Sequence, residues 1–101
     1  MDYKILFTES ALADLDAIMT RAVVDHASTS EHFATALLNH TELLSQFPYL
    51  GVPVRDMPGS RRLLHSPFHI YYFINEPLKR IDIDHFWHFR RHPPGFGIVK
   101  R

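Results

Sequence analysis

The chain has 101 residues, no cysteine, and 11 Lys+Arg against 11 Asp+Glu. These counts exclude a disulfide-stapled fold, a thiolate nucleophile and a Cys-based zinc site, and they are too small for two domains. With 46% hydrophobic and 22% charged residues, and no run approaching the roughly 18 apolar residues of a membrane span or a signal-peptide core, a single soluble cytoplasmic domain over residues 1–101 is expected.

The zero net charge conceals an asymmetry. Residues 1–50 carry two Lys/Arg and seven Asp/Glu, a formal −5, whereas residues 51–101 carry nine and four, a formal +5, together with five of the eight histidines. Such polarity equips one side of a molecule to meet a phosphate or an acidic protein.

Tyr3 to Phe7 reads as a short strand, and Thr8-Glu9-Ser10 supplies hydroxyl caps and an acid for a helix N-terminus. Leu12, Leu15, Ile18, Met19, Ala22 and Val23 recur every three or four residues and predict a first amphipathic helix, with Asp14, Asp16 and Arg21 on its other face. Ser28 and Glu31 form a capping-box pattern, so a turn after Ala27 and a second helix are expected. Its apolar stripe is Phe33, Leu37, His40, Leu44 and Phe47, and Pro48 ends it. The Pro- and Gly-rich stretch to Ser60 predicts an ordered loop.

From Arg61 the period becomes two. Arg62–His65, Phe68–Asn75 and Arg80–His88 are predicted strands, with Glu76-Pro77-Leu78-Lys79 as the turn between the last two. Phe68, Ile70, Tyr72 and Ile74 share one face, and Ile81 and Ile83 another, with Asp82 and Asp84 turned away. Phe86 and Trp87 cannot both point inward without a bulge. The tail from His92 to Gly97 continues neither strand nor helix. The expected fold is therefore α+β and two-layer, in the order β-α-α-β-β-β, a helical hairpin packed on a small antiparallel sheet that the first strand joins at its edge or centre.

Three groups of residues carry possible chemistry. Arg61 and Arg62 open the meander, and Arg90 and Arg91 follow its last strand; if those ends coincide, four guanidiniums and His88 form one target-binding basic patch suited to phosphate or carboxylate. The competing reading leaves one arginine of each pair solvated or bound to Asp56 or Asp84. His85, His88 and His92 could bind metal only by converging, and alternation places the first two on opposite faces, so neither a metal nor a cofactor is expected. Tyr71, Tyr72, Phe73, Phe86, Trp87 and Phe89 fit both a core and a base-stacking platform. Glycine phosphate loops, zinc-protease helices and nucleophile elbows are absent.

The strings YKILFTESALADLDAI (3–18), LLSQFPYLGVPVR (43–55), RRLLHSPFHIYYFI (61–74) and IDIDHFWHFRRHPP (81–94) resemble the RelE/ParE superfamily of type II toxin-antitoxin toxins. The most specific pieces are Phe47-Pro48-x-Leu50-Gly51, Arg62-Leu63, Ile70-x-Tyr72 and Trp87-His88-x-x-Arg91. The resemblance implies a partner antitoxin that wraps the toxin with a helix and at times a strand, which suits an open sheet edge beside an apolar groove. RelE-like members cleave mRNA in the ribosomal A site, and ParE-like members are associated with inhibition of DNA gyrase. Ser30 to Phe47 contains no Lys or Arg, which suits poorly a docking on ribosomal RNA that needs many phosphate contacts. The strings are closer to the ParE-like branch, so a non-enzymatic gyrase inhibitor is expected first. An mRNA endonuclease using Arg62, His88, Arg90 and Arg91 is the alternative, and a non-toxic module that only binds its antitoxin is the third.

Overall fold

Three successive antiparallel strands dominate the C-terminal half because each alternates apolar and polar residues over a length that turn chemistry terminates. In the computed structural model, which describes residues 2–91 with the side chains of residues 22–31 excepted, the elements are β1 (Lys4–Phe7), α1 (Glu9–Glu42), a 3-10 turn (Leu43–Ser45), β2 (Val52–Pro53), β3 (Ser60–His65), β4 (Phe68–Asn75) and β5 (Arg80–His88). The sheet order is β1-β5-β4-β3-β2. The expected two-layer α+β architecture is present.

The sheet is mixed rather than antiparallel, since β1 pairs with β5 in parallel, Ile5 opposite Ile81 and Phe7 opposite Ile83. Three meander strands make two reversals, so β5 runs in the direction of β3. The first strand adds to the edge of the sheet in that same direction. A further departure is β2, which pairs Val52 with Arg62 inside the segment expected to be loop; two residues are too few to show a period.

Thr8 caps α1 as expected: its Oγ1 accepts from the Ala11 N–H at 3.2 Å. The residues from Glu9 to Glu42 are all helical, with no non-helical residue marking the turn expected after Ala27. A straight helix of that length would span about 51 Å. Its ends are nonetheless tied to one short strand, because the Thr8 N–H donates to Ile83 O beside the end of β1 and the Tyr3 N–H donates to Ser45 O at its start. The segment therefore folds back into two arms, as a helical hairpin must. The proposed Ser28–Glu31 cap falls among the side chains outside the described set.

Both arms cover the same face of the sheet. Ala11 from the first, Leu37 from the second and Leu44 from the 3-10 turn that follows it are fully buried against Ile70, Tyr72, Ile81 and Ile83, with Leu15, Ile18 and Phe33 packed around them. Each buried aliphatic contributes about 1.5–3 kcal/mol, which outweighs the tenths of a kcal/mol that separate helix propensities. Two stripe residues are corrected. Leu12 is 52% exposed because the small Ala11 takes the inward place, and Phe47 is 55% exposed because the helix stops before it. In β5 a bulge ahead of Phe86 and Trp87 sets the phase that the sequence leaves open beyond Ile83: Tyr72 pairs with Ile83 and Tyr71 with His85, leaving Asp84 as the extra residue. Phe86 is buried and Trp87 stands on the opposite face.

Candidate functional site

Residues directly opposite across a ladder share a face, and neighbours along a strand do not. Arg61 pairs with Tyr72 and therefore lies on the helix side, whereas Arg62 pairs with Tyr71 and lies on the open side. The same count of reversals that sets β1 parallel to β5 places the start of β3 and the end of β5 at opposite ends of the sheet. The single patch of Arg61, Arg62, Arg90, Arg91 and His88 does not form.

Arg61 is occupied by the fold. It donates to Gly51 O at 2.6 Å and to Tyr49 O at 3.4 Å, and its guanidinium carbon stands 4.9 Å over the Tyr49 ring. Its neighbour Tyr72 is fully buried, donates its hydroxyl to Pro48 O at 2.7 Å and accepts the Gly51 N–H at 2.9 Å. Burial pushes the Tyr72 phenol up, which keeps it protonated for that donation. Gly51 cannot carry a side chain here: a Cβ would sit 2.6 Å from Arg62 O and 2.9 Å from the Tyr72 ring. The strings Phe47-Pro48-x-Leu50-Gly51 and Ile70-x-Tyr72 are thus two halves of one clasp between loop and sheet.

The loop is stitched at a second point. At the β4–β5 turn Glu76 accepts the hydroxyls of Tyr49 at 2.6 Å and Tyr3 at 2.9 Å, and Lys79 lies 3.3 Å away. The bond from Tyr49, then that from Tyr3, hold the Glu76 carboxyl below its ordinary value, and the same contact raises the Tyr49 phenol. A shallow cavity of about 450 Å³ adjoins this cluster, lined by Tyr49, Met57, Gly59, Arg61 and Glu76 among others.

The open face carries Arg62, His69, Tyr71 and Trp87 in adjoining strands. Beyond β5, Arg91 lies with its guanidinium carbon 4.1 Å over the Trp87 ring, and Phe89, 41% exposed, meets the edge of His69. Arg62, Arg90 and Arg91 are exposed, and among the described residues none of the three makes an ion pair with a carboxylate. Burial first, then the charge of Arg62, lower the His69 pKa, so that imidazole stays neutral beside the guanidinium. Asp82, on this face, is held by Arg80 at 2.6 and 3.3 Å and is buried, which removes it as a competing anion.

His88 belongs to the other side, packed edge-on against Phe68 at 5.4 Å, with its Nδ1 accepting the Arg90 N–H at 3.2 Å. His88 and Arg62 therefore do not converge on one reacting atom. His85 lies apart from His88, as alternation requires, and His92 lies outside the described residues. Asp14, expected on the solvent side of the first helix, instead reaches the sheet: its Oδ2 lies 2.9 Å from His85 Nδ1 and accepts the Phe86 N–H at 3.2 Å. The strand β1 ends opposite Ile83, so beyond it the edge of β5 is open, and Asp14 occupies the vacated hydrogen-bonding position. No local sequence signal marks a contact between residues 71 positions apart.

The outer strands of the sheet are β1 and the two-residue β2. Beside β1 lies a second cavity of about 450 Å³, lined by Tyr3, Ile5, Phe7, Glu42, Ser45 and Gln46. An unpaired strand edge next to a part-apolar hollow is the geometry that accepts an extended peptide. No helix among the described residues is long and apolar enough to cross a membrane.

Comparison with known proteins agrees with this architecture. Residues 5–93 match the model of the ParE toxin of the type II toxin-antitoxin system parDE. Among solved structures, the chain is similar to one from the chromosomal ParDE toxin-antitoxin system of P. aeruginosa, with a TM-score of 0.74 and 25% identity over 85% of this chain and 95% of that one. It shares its fold with a chain of the RelBE2 toxin-antitoxin complex of Mycobacterium tuberculosis, with a TM-score of 0.61 and 20% identity over 87% and 99% of the respective chains. No curated protein gives a significant match. With the family match covering all five strands and both helical arms, the chain belongs to the ParE toxin family of type II toxin-antitoxin systems.

Proposed function

We propose that this toxin acts by inhibiting DNA gyrase and is held inactive by a cognate antitoxin. The observation that carries the reading is the match of residues 5–93 to the ParE family, together with the failure of Arg62 and His88 to converge. A nuclease must place a proton-transferring group and a charge-stabilising group around one phosphate. Their separation favours the gyrase reading over mRNA cleavage, and the absence of Lys and Arg from Ser30 to Phe47 agrees.

The target-binding surface in this reading is the open face with Arg62 and Arg91, together with the exposed Arg90 just beyond β5, while Arg61 and His88 hold the fold. The antitoxin enters at the β1 edge and the hollow beside it, where a strand completes the backbone hydrogen bonds and apolar side chains meet Ile5 and Phe7. Its acidic residues pair with the C-terminal half, which carries the formal +5. Purified toxin in excess should stop gyrase supercoiling of relaxed plasmid, and equimolar antitoxin should restore it. Unchanged supercoiling, with new codon-dependent mRNA ends after induction, would replace this reading with the endonuclease one.

A further inference from the structure

His40 and His65 meet Nδ1 to Nδ1 at 2.8 Å. An imidazole nitrogen donates only when it carries a proton and accepts only when it does not, so the two facing atoms hold one proton between them. His40 projects from the second helical arm between the fully buried Leu37 and Thr41, and His65 is the last residue of β3. The pair therefore joins the arm to the sheet at the far end from the Tyr72 clasp. Phe33 abuts the His65 ring at 5.9 Å and Phe68 at 5.7 Å, so the same seam is lined by aromatic surface.

We infer that His40 and His65 form a proton-counting latch that keeps the second helical arm closed on the sheet and releases it when both rings are charged. In the neutral pair one Nδ1–H donates to the other Nδ1. One added proton goes to the outer nitrogen of the donor ring, and the bond persists in charge-assisted form. A second must go to the accepting Nδ1, which removes the acceptor and leaves two facing cations.

The surrounding groups do not relieve that repulsion. From the arm, Thr41 directs its hydroxyl to Leu37 O, and Glu42 is exposed. From β4 comes Phe68, and from β5 comes His88, whose Nδ1 is engaged by Arg90 N–H. Among the described residues no carboxylate makes an ion pair with either ring of the latch. Burial, and after it the charge of His40, lower the His65 pKa from 6.5. A histidine that is harder to protonate in the folded than in the unfolded chain stabilises fully above pH 6.5. That stabilisation is lost as pH falls through the depressed value, because the unfolded chain then binds more protons.

Thermal unfolding and binding of an apolar dye, followed from pH 7.5 to 5, test the latch on the full chain. The melting temperature should fall on the acid side by about 4–8 °C, the shift that about 1 kcal/mol produces in a domain of this size, with a matching rise in dye binding. Both His40→Gln and His65→Gln should flatten that dependence, since an amide offers a donor and an acceptor at any pH. His69 has a pKa lowered in the same direction, so His69→Gln serves as the comparison: it should remove only its own share of the acid loss of stability and leave the acid rise in dye binding in place. An acid loss unchanged in both latch variants overturns the inference. If the variants do not fold, long-range ¹H–¹⁵N spectra of the wild-type histidines at pH 7.5 decide. One ring protonated at Nδ1 and its partner at Nε2 supports the latch, and two Nε2–H tautomers overturn it.

Discussion

On the helix side of the sheet, Arg61 has its guanidinium bound to the Gly51 carbonyl and laid on the Tyr49 ring, in a region where Tyr72, Glu76 and Tyr3 stitch loop, turn and N-terminus together. One residue further on and one face away, Arg62 is exposed, and neither it nor Arg91 has a carboxylate partner among the described residues. The side chains are chemically the same, and strand alternation alone sends one into structure and the other toward solvent. The difference teaches that basic residues in a toxin of this fold divide by face: one side should register as stability, the other as affinity for the target.

The strongest way to break that division is to attack the clasp. Tyr72→Phe leaves the buried Pro48 carbonyl and Gly51 N–H without their shared partner. A buried unsatisfied group costs about 1–3 kcal/mol, so the pair should cost about 2–4 kcal/mol in urea unfolding. Gly51→Ala forces a methyl to 2.6 Å from Arg62 O, and overpacking of this kind should cost about 1–3 kcal/mol. Either variant unfolding at the wild-type urea midpoint would show that the clasp is ornamental.

A paired substitution sharpens the comparison at a smaller scale. Arg61→Ala should destabilise by about 1–2 kcal/mol, the loss of a charged hydrogen bond at a partly exposed site, while inhibition per folded molecule stays unchanged. Arg62→Ala should leave stability within about 0.5 kcal/mol but weaken inhibition of supercoiling, and the double variant Arg62→Ala/Arg91→Ala should weaken it further. The reverse pattern, with Arg62→Ala unfolding early and inhibiting normally, would put the target surface elsewhere.

Much of this arrangement was legible before any coordinates. The strands Phe68–Asn75 and Arg80–His88, the turn between them and the Thr8 cap all follow from local patterning, and local patterning survives folding, whereas the phase beyond Ile83 is set by a bulge at Asp84 that the pattern leaves open. The apolar period was less decisive, since Ala11 and Leu12 both fit it, and the close approach of helix to sheet selected the smaller residue. The gathering of Arg61, Arg62, Arg90 and Arg91 into one patch failed for a reason the predicted elements already contained: two reversals return a chain to its starting direction. The contacts of Asp14 with His85 and of His40 with His65 had no such signal, because each joins a helical arm to a strand across a long stretch of chain.

The mildest test concerns the order of causes at Glu76, the exposed end of the stitched side. The hydroxyl of Tyr49 is the largest cause of its lowered pKa, followed by that of Tyr3, with Lys79 a smaller contributor. A carboxylate stabilised in the folded chain contributes above its unfolded value of 4.5, and the contribution disappears as pH falls through the depressed one. A ¹³C titration of the Glu76 carboxyl should therefore move back toward the ordinary range in Tyr49→Phe and move less in Lys79→Ala. Equal movement in the two variants would mean that simple charge, rather than the directed O–H donation, holds the turn. The loop carrying Gly51 would then be fixed by the Tyr72 clasp and Arg61 alone, and the stitched region would shrink to the buried side of the sheet.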